Sequence, residues 1–341
     1  MKYIIFGAGK NGYAIADIFP KEWFLCFIDN DYQKTGGDLH SLPILSVEQC
    51  LNDASKDNVV LFTFHDEHEE ARVRETNYQF VSLYDFLNSA PVIQYRDCFL
   101  LEKYLNDKHL KEACFVDKQY SRYRTIYENE LNEEIVHMMK AGDYDAASQL
   151  LQNLYSATEG TDANGMYWDE YYDMRPGMRL IANLINRETG LNVCDLACGH
   201  AEQLKSLAAQ HHVTGIDLSI DRVRSCRENG IEAYQGNAAD TGMGDSMYDV
   251  VIAEELLEHV PDPEAVLREA WRILKPGGML YITTPLGNNC NSQTHVRFFS
   301  VNSLYSILIL QKFEVENIIA IPYSNINLYD NNIIAGVSKN I

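Results

Sequence analysis

The chain predicts an α/β protein with two doubly wound parallel sheets joined by a helical segment. Three observations carry this. An apolar strand-like run, a turn of small residues, a helix-like stretch and a second strand ending in a carboxylate occur twice, at Lys2–Asp31 and at Val193–Asp217. Between them, from about residue 100 to 158, apolar residues recur at helical three-and-four spacing. With 341 residues, the chain is also too long for one ordinary core. The expected boundaries are 1–90 for a small nucleotide-binding unit, 91–160 for the helical linker and 161–341 for a second α/β unit.

Composition narrows the partners. A formal charge of -21 disfavours the basic surface that a nucleic acid or an acidic lipid face requires, although 28 Lys and Arg remain for local sites. The eight cysteines form no CxxC pair, so neither a zinc ribbon nor a thioredoxin-like centre is supported and no metal is expected. Several lie in apolar runs such as Phe24–Ile28, where cysteine packs as a small hydrophobe. No basic-then-apolar leader is evident, and no apolar run approaches the ~18 residues needed to span a bilayer. The expectation is a cytoplasmic protein that acts on a small molecule, without nucleic-acid or membrane partners. Oligomeric state is not legible.

The first unit opens on the β-prone Lys2–Phe6, then Gly7-Ala8-Gly9-Lys10-Asn11-Gly12 and a helix-like Tyr13–Phe19. A second strand, Trp23–Ile28, ends at Asp29, about 17 residues past the last glycine and near the ~20 of the dinucleotide fingerprint. Gly7, Gly9 and Gly12 would let backbone approach a diphosphate, and Asp29 would accept from ribose or base. The alternative is that these glycines only permit tight strand-to-helix packing. Strands near 58–64 and 80–83, with short helices between, complete about one mononucleotide-binding half. With Lys34-Thr35-Gly36 and Leu42-Pro43-Ile44, this unit resembles the small Rossmann-like N-terminal domains of bacterial glycan-pathway enzymes, including sugar acetyltransferases. The resemblance implies a nucleotide or nucleotide-sugar ligand.

In the middle, Leu131, Ile135, Met138 and Met139, then Ala146, Leu150, Leu151 and Leu154, predict a helical hairpin turning at Ala141-Gly142-Asp143. The aromatic, acidic segment Tyr167–Pro176 reads either as a lid over a ligand or as a helix packed on the next sheet.

In the second unit, Cys194-Asp195-Leu196-Ala197-Cys198-Gly199 forms a strand end and turn, and Val213–Asp217 a second strand. Strands follow near Ala233, at Tyr248–Ala253 and at Met279–Thr284. Alternation with helices specifies a mainly parallel sheet covered on both faces. A final helix and two strands, turning at Asn331-Asn332, would finish it. Through Asp195–Gly199, Gly215–Asp217, Asp249-Val-Val, Leu257-Glu-His259-Val-Pro-Asp, Leu274-Lys-Pro-Gly-Gly278 and His295-Val-Arg-Phe-Phe-Ser300, residues 165–341 resemble the class I S-adenosylmethionine-dependent methyltransferases. Within that class the resemblance is to small-molecule enzymes related to ubiquinone biosynthesis.

That resemblance implies S-adenosyl-L-methionine (SAM) as cofactor. Asp195 would brace the turn or meet the methionine ammonium, and the backbone from Ala197 to Gly199 would face the methionine part. Asp217 with Leu218 would hold the ribose, and Asn237 and Ala238 the adenine edge. The family turn usually carries three glycines; here Ala197 and Ala201 replace two, so only Gly199 can readily take a left-handed conformation. His259, placed at a helix start, and His295 are candidate bases for a hydroxyl acceptor. Glu254 and Glu255 could orient it, and the polar loop 288–293 could line its site. A sugar or nucleotide-sugar of a glycan pathway is a candidate acceptor. Two other readings stand beside this one: an NAD(P)-dependent oxidoreductase using Gly7–Asp29, and a non-catalytic binding protein.

Overall fold

The computed structural model describes residues 2–31, 33–53, 57–64, 67–76, 78–106, 109–114, 133–157, 176–199, 202–287, 295–322 and 331–339. The chain divides into two compact units, Met1–Tyr95 and Arg96–Ile341. The aromatic segment 167–175, read as either a lid or a packed helix, Ala201 and the polar loop 288–293 lie outside the described residues.

In the first unit, β1 (Tyr3–Phe6), β2 (Phe24–Ile28), β3 (Asp38–Leu39), β4 (Leu42–Leu45), β5 (Val59–Phe62) and β6 (Gln79–Ser82) form one sheet in the order β3-β4-β2-β1-β5-β6. All neighbours pair in parallel except β3 with β4. The chain winds outward from β1 to β4, then returns to lay β5 against the other side of β1. This is more than one mononucleotide half: β5 and β6 add the beginning of a second, and the order reverses between β1 and β5, where open α/β sheets form their ligand crevice. The short apolar run Val59–Phe62, buried along its length, has the character of a central strand and pairs on both edges.

In the second unit, β7 (Asn192–Asp195), β8 (His212–Asp217), β9 (Glu232–Gln235), β10 (Tyr248–Glu254), β11 (Leu274–Pro285), β12 (Phe313–Pro322) and β13 (Asn331–Lys339) form a sheet ordered β12-β13-β11-β10-β7-β8-β9. Only β13 runs antiparallel to its neighbours. Asn331 and Asn332, expected as a turn, are instead the first residues of β13 and pair with Pro322 and Ile321. Their backbone groups enter the ladder, which outweighs the weak turn preference of asparagine.

Side chains alternate across this sheet. Cys194, Val251, Ala253, Leu280 and Ile282 pack on one face with the helices Pro263–Ile273 and Val301–Leu310. Val193, Val250, Ile252 and Tyr281 pack on the other with Pro176–Ile185, Ile220–Glu228 and, from the expected linker, Leu100 and Tyr104. The linker thus supplies core to the second sheet. The helical hairpin comprises Glu133–Lys140 and Tyr144–Ala157, turning at Gly142 with φ +82°. Ile135 and Met139 are buried as predicted; in the second helix Ala147, rather than Ala146, is buried among the described residues, and all three share one core cluster with Val296. Cys26, Cys50, Cys194, Cys198 and Cys226 are buried free thiols, whereas Cys98 is exposed.

Candidate active site

The order of the second sheet reverses between β7 and β10, so its crevice lies beyond the ends of those strands, at Asp195 and Glu254. The turn after β7 is closed from below. Cys198 N donates to Ile216 O at 2.9 Å, and a Cβ on Gly215 would stand 2.6 Å from Cys198 Sγ, so the turn packs directly on β8. Gly199 sits at φ +52°; Ala197 is not among the residues with positive φ. The two requirements of the turn are therefore met at Gly199 and at Ala197.

Asp217, at the end of β8 and 5% exposed, accepts from Gly199 N through Oδ2 at 3.0 Å and from Ser219 N through Oδ1 at 2.9 Å. Arg222 approaches Oδ2 at 3.8 Å. Each carboxylate oxygen offers two lone pairs, so both retain capacity for a vicinal diol after bracing the turn. Asp195, 1% exposed, accepts from Ala197 N at 3.1 Å. Burial, with the nearby charge of Asp217, pushes its carboxyl up to about 7 despite that hydrogen bond. Two buried acids, one holding an acceptor pair and the other in want of a cation, suit a ligand that carries both a ribose and an ammonium. This donor set fits SAM.

At the expected adenine edge, Ala238 is buried, and Asn237 bends the chain by accepting from Ala239 N at 2.9 Å through Oδ1. Leu218 O accepts from Gln235 Nε2 at 2.9 Å. These contacts tie the ends of β8 and β9 together.

His259 does not open a helix. It lies in a turn after β10, with its N–H donating to Leu256 O at 3.0 Å. The helix begins at Pro263 because Asp262 caps it, accepting from Ala265 N at 3.1 Å, and proline suits the first helical position. His295, 5% exposed, follows β11, and its ring stands 4.6 Å from that of His259 at 76°. Val296 N donates to Glu258 O at 2.9 Å, and Arg297 Nη2 donates to the carbonyls of Val260, at 2.8 Å, and Pro261. The segment after β11 therefore clamps the turn after β10. Glu258, 1% exposed, faces His259 Nε2 at 3.9 Å and accepts from Thr284 Oγ1 at 3.0 Å. Glu255 takes an unusual φ of +46° and accepts from Thr283 Oγ1 at 2.9 Å. Sequence reading passed over Glu258 and Arg297. Their only signal is that both fall inside motifs already singled out for their histidines.

The first unit repeats the brace of the second. Asp29 accepts from Ala8 N at 2.8 Å and Asp31 N at 2.8 Å, and pairs with Lys34 at 3.2 Å. These contacts outweigh its burial and hold its carboxyl below the usual range. Gly7 has φ +102°, and a Cβ on Gly12 would stand 2.0 Å from Gly7 O, so the helix Lys10–Ile18 approaches the turn as closely as the packing reading of these glycines requires. Gly9 faces open space, as a backbone approach to a ligand would need.

Residues 194–282 match a family model described as a methyltransferase domain. Over 108 residues the chain is 35% identical to a demethylmenaquinone methyltransferase of Listeria welshimeri, covering 28% of this chain and 46% of that protein. Over 105 residues it is 37% identical to a ubiquinone biosynthesis O-methyltransferase of Xanthomonas oryzae pv. oryzae, covering 28% and 43%. The chain thus spans less than half the length of these curated relatives. Among solved structures, the Burkholderia thailandensis 1,6-didemethyltoxoflavin-N1-methyltransferase, with its substrate and S-adenosylhomocysteine bound, aligns at 15% identity and a TM-score of 0.45, covering 67% of this chain and 98% of that one. The matched stretch contains Asp195, Asp217, Asn237 and His259; His295 lies beyond it.

Proposed function

We propose that the protein transfers a methyl group from SAM to a hydroxyl of a small molecule, with a sugar or nucleotide-sugar as the acceptor class. The observation that carries the transfer is the pair of buried carboxylates at the ends of β7 and β8, on the same sheet as the loops after β10 and β11 that bring His259 and His295 together. SAM supplies an already activated methyl. The chain's own work is to align the acceptor, exclude water and manage one proton. Asp217 holds the ribose hydroxyls, Asp195 meets the methionine ammonium, and His259 and His295 handle the acceptor proton. The first unit supports the nucleotide-sugar class, because Gly7, Gly9, Gly12 and Asp29 build a second turn and brace of the nucleotide-binding kind.

Titration of the full chain with S-adenosylhomocysteine tests the cofactor site. Asp217→Ala removes acceptors of charge-assisted bonds worth roughly 1.5–3 kcal/mol each, so affinity is expected to fall at least about tenfold. Equal affinity in that variant sinks the assignment. A second reading, a phenolic hydroxyl as acceptor, is favoured by the similarity to the ubiquinone enzyme. Methyl transfer from labelled cofactor to panels of nucleotide-sugars and catechols separates the two acceptor classes.

A further inference from the structure

We propose that Cys198 and Cys226 are a redox modification site: a hydroperoxide joins them in a reversible disulfide beneath the turn after β7, and the bond weakens cofactor binding there. The effect on the cofactor rests on the function proposed above; formation of the bond does not.

Cys198 stands in that turn between Ala197 and Gly199, and Cys226 lies in the helix Ile220–Glu228. Their sulfurs are 3.8 Å apart, and both thiols are free. A disulfide holds its sulfurs about 2.05 Å apart, so each has to move by about 0.9 Å, within reach of side-chain rotation. Cys198 has little space in the opposite direction. A Cβ on Gly215 would already stand 2.6 Å from its Sγ, so its side chain is pressed against β8 and closes toward the helix. Cys26 and Cys50 are also in contact, at 3.4 Å, but they join β2 to the helix Val47–Asp53 and neither belongs to a glycine turn.

The bond would disturb the turn at two points. Cys226 Sγ donates to Gly199 O at 3.5 Å, and oxidation removes that donor. It also draws Cys198 toward the helix, while the next residue, Gly199, is tied through its N–H to Asp217 Oδ2 at 3.0 Å. The backbone from Ala197 to Gly199 is the part that would face the methionine portion of SAM, and a misplacement near 1 Å in such a site is costly.

The chemistry needs only the peroxide. One cysteine, as its thiolate, attacks a peroxide oxygen; the O–O bond breaks, water leaves and the sulfur becomes a sulfenic acid. The second thiol attacks that sulfur, the S–S bond forms and a second water leaves. Two thiols thus give up two electrons and two protons as hydrogen peroxide becomes two waters. Cys198 is 1% and Cys226 0% exposed, so the reaction is slow and favours an oxidant as small as hydrogen peroxide.

The test exposes the full-length protein, reduced and then freed of reductant, to hydrogen peroxide. Peptide mapping by mass spectrometry should find Cys198 joined to Cys226, the melting temperature should shift, and S-adenosylhomocysteine affinity should fall at least about tenfold by calorimetry. Dithiothreitol should reverse all three. Cys226→Ser and Cys226→Ala, each checked for folding by circular dichroism, should keep after peroxide the affinity they had before it, to within about twofold. The proposal is overturned if the folded protein forms no Cys198–Cys226 bond, if the bond leaves affinity unchanged, or if the variants lose affinity as the wild type does. Reduced protein that binds no S-adenosylhomocysteine would instead remove the methyltransferase reading, and the mapping and the melting shift would still decide whether the thiols are a redox pair.

Discussion

The Gly199 N–H donates to Asp217 Oδ2 at 3.0 Å, so the residue that turns the chain after β7 is tied to the carboxylate that ends β8. Gly199 holds φ +52° to make that contact. Gly199→Ala should therefore cost roughly 1–2 kcal/mol in stability and weaken S-adenosylhomocysteine binding. Ala197→Gly, at a position without positive φ, should leave binding within about twofold while losing roughly 0.4–1 kcal/mol through the freer unfolded chain. Chemical denaturation and calorimetry read both effects; equal losses of binding would contradict this account of the turn.

Asp195 makes the ligand-free protein sensitive to pH. Its folded pKa, about 7, lies above the ordinary unfolded value near 3.9, so the folded state binds the proton more tightly. The sign follows: this contribution is fully present below the unfolded pKa and is lost as pH rises to 7. The loss is about 4 kcal/mol at most. Melting temperature should fall between about pH 4 and 7, and Asp195→Asn should flatten that dependence.

Arg297 is 1% exposed and donates to two carbonyls of the turn that carries His259. Arg297→Met keeps the packing volume and removes the clamp. Stability is expected to drop by roughly 2–4 kcal/mol. Methyl transfer should fall with little change in S-adenosylhomocysteine affinity, because Asp195 and Asp217 are untouched. A parallel loss of cofactor affinity would show that the clamp reaches further than the turn after β10.

Asp29 should stabilise the first unit as Asp217 does the second. Asp29→Ala strips the acceptor from Ala8 N and Asp31 N and the partner from Lys34, and a loss of roughly 1–3 kcal/mol is expected in denaturant unfolding. Its carboxyl is held below the usual range, so this stability is present above the unfolded pKa and disappears as pH falls through the folded one. An Asp29→Ala variant that keeps the wild-type acid sensitivity would exclude Asp29 as its source.

The sequence by itself determined whatever depends on local order. Strand runs, the glycine turns at Gly7 and Gly199, and the carboxylates at Asp29 and Asp217 were legible because strand, turn, helix and strand follow within about 30 residues. The tolerance of Ala197 was not legible, because it depends on the backbone angle that the folded turn takes there. Tertiary structure decided what lies across strand pairings. His259 and His295 are far apart in sequence, and nothing local states that their rings meet; β10 beside β11 does that. Nor is it legible locally that Glu258 is a buried carboxylate, that His259 sits in a clamped turn rather than at a helix start, or that Ile135 and Met139 share a core cluster with Val296. The physical reason is that sequence periodicity reports which face a residue takes, whereas the register between distant strands sets which side chains share the space beyond their ends.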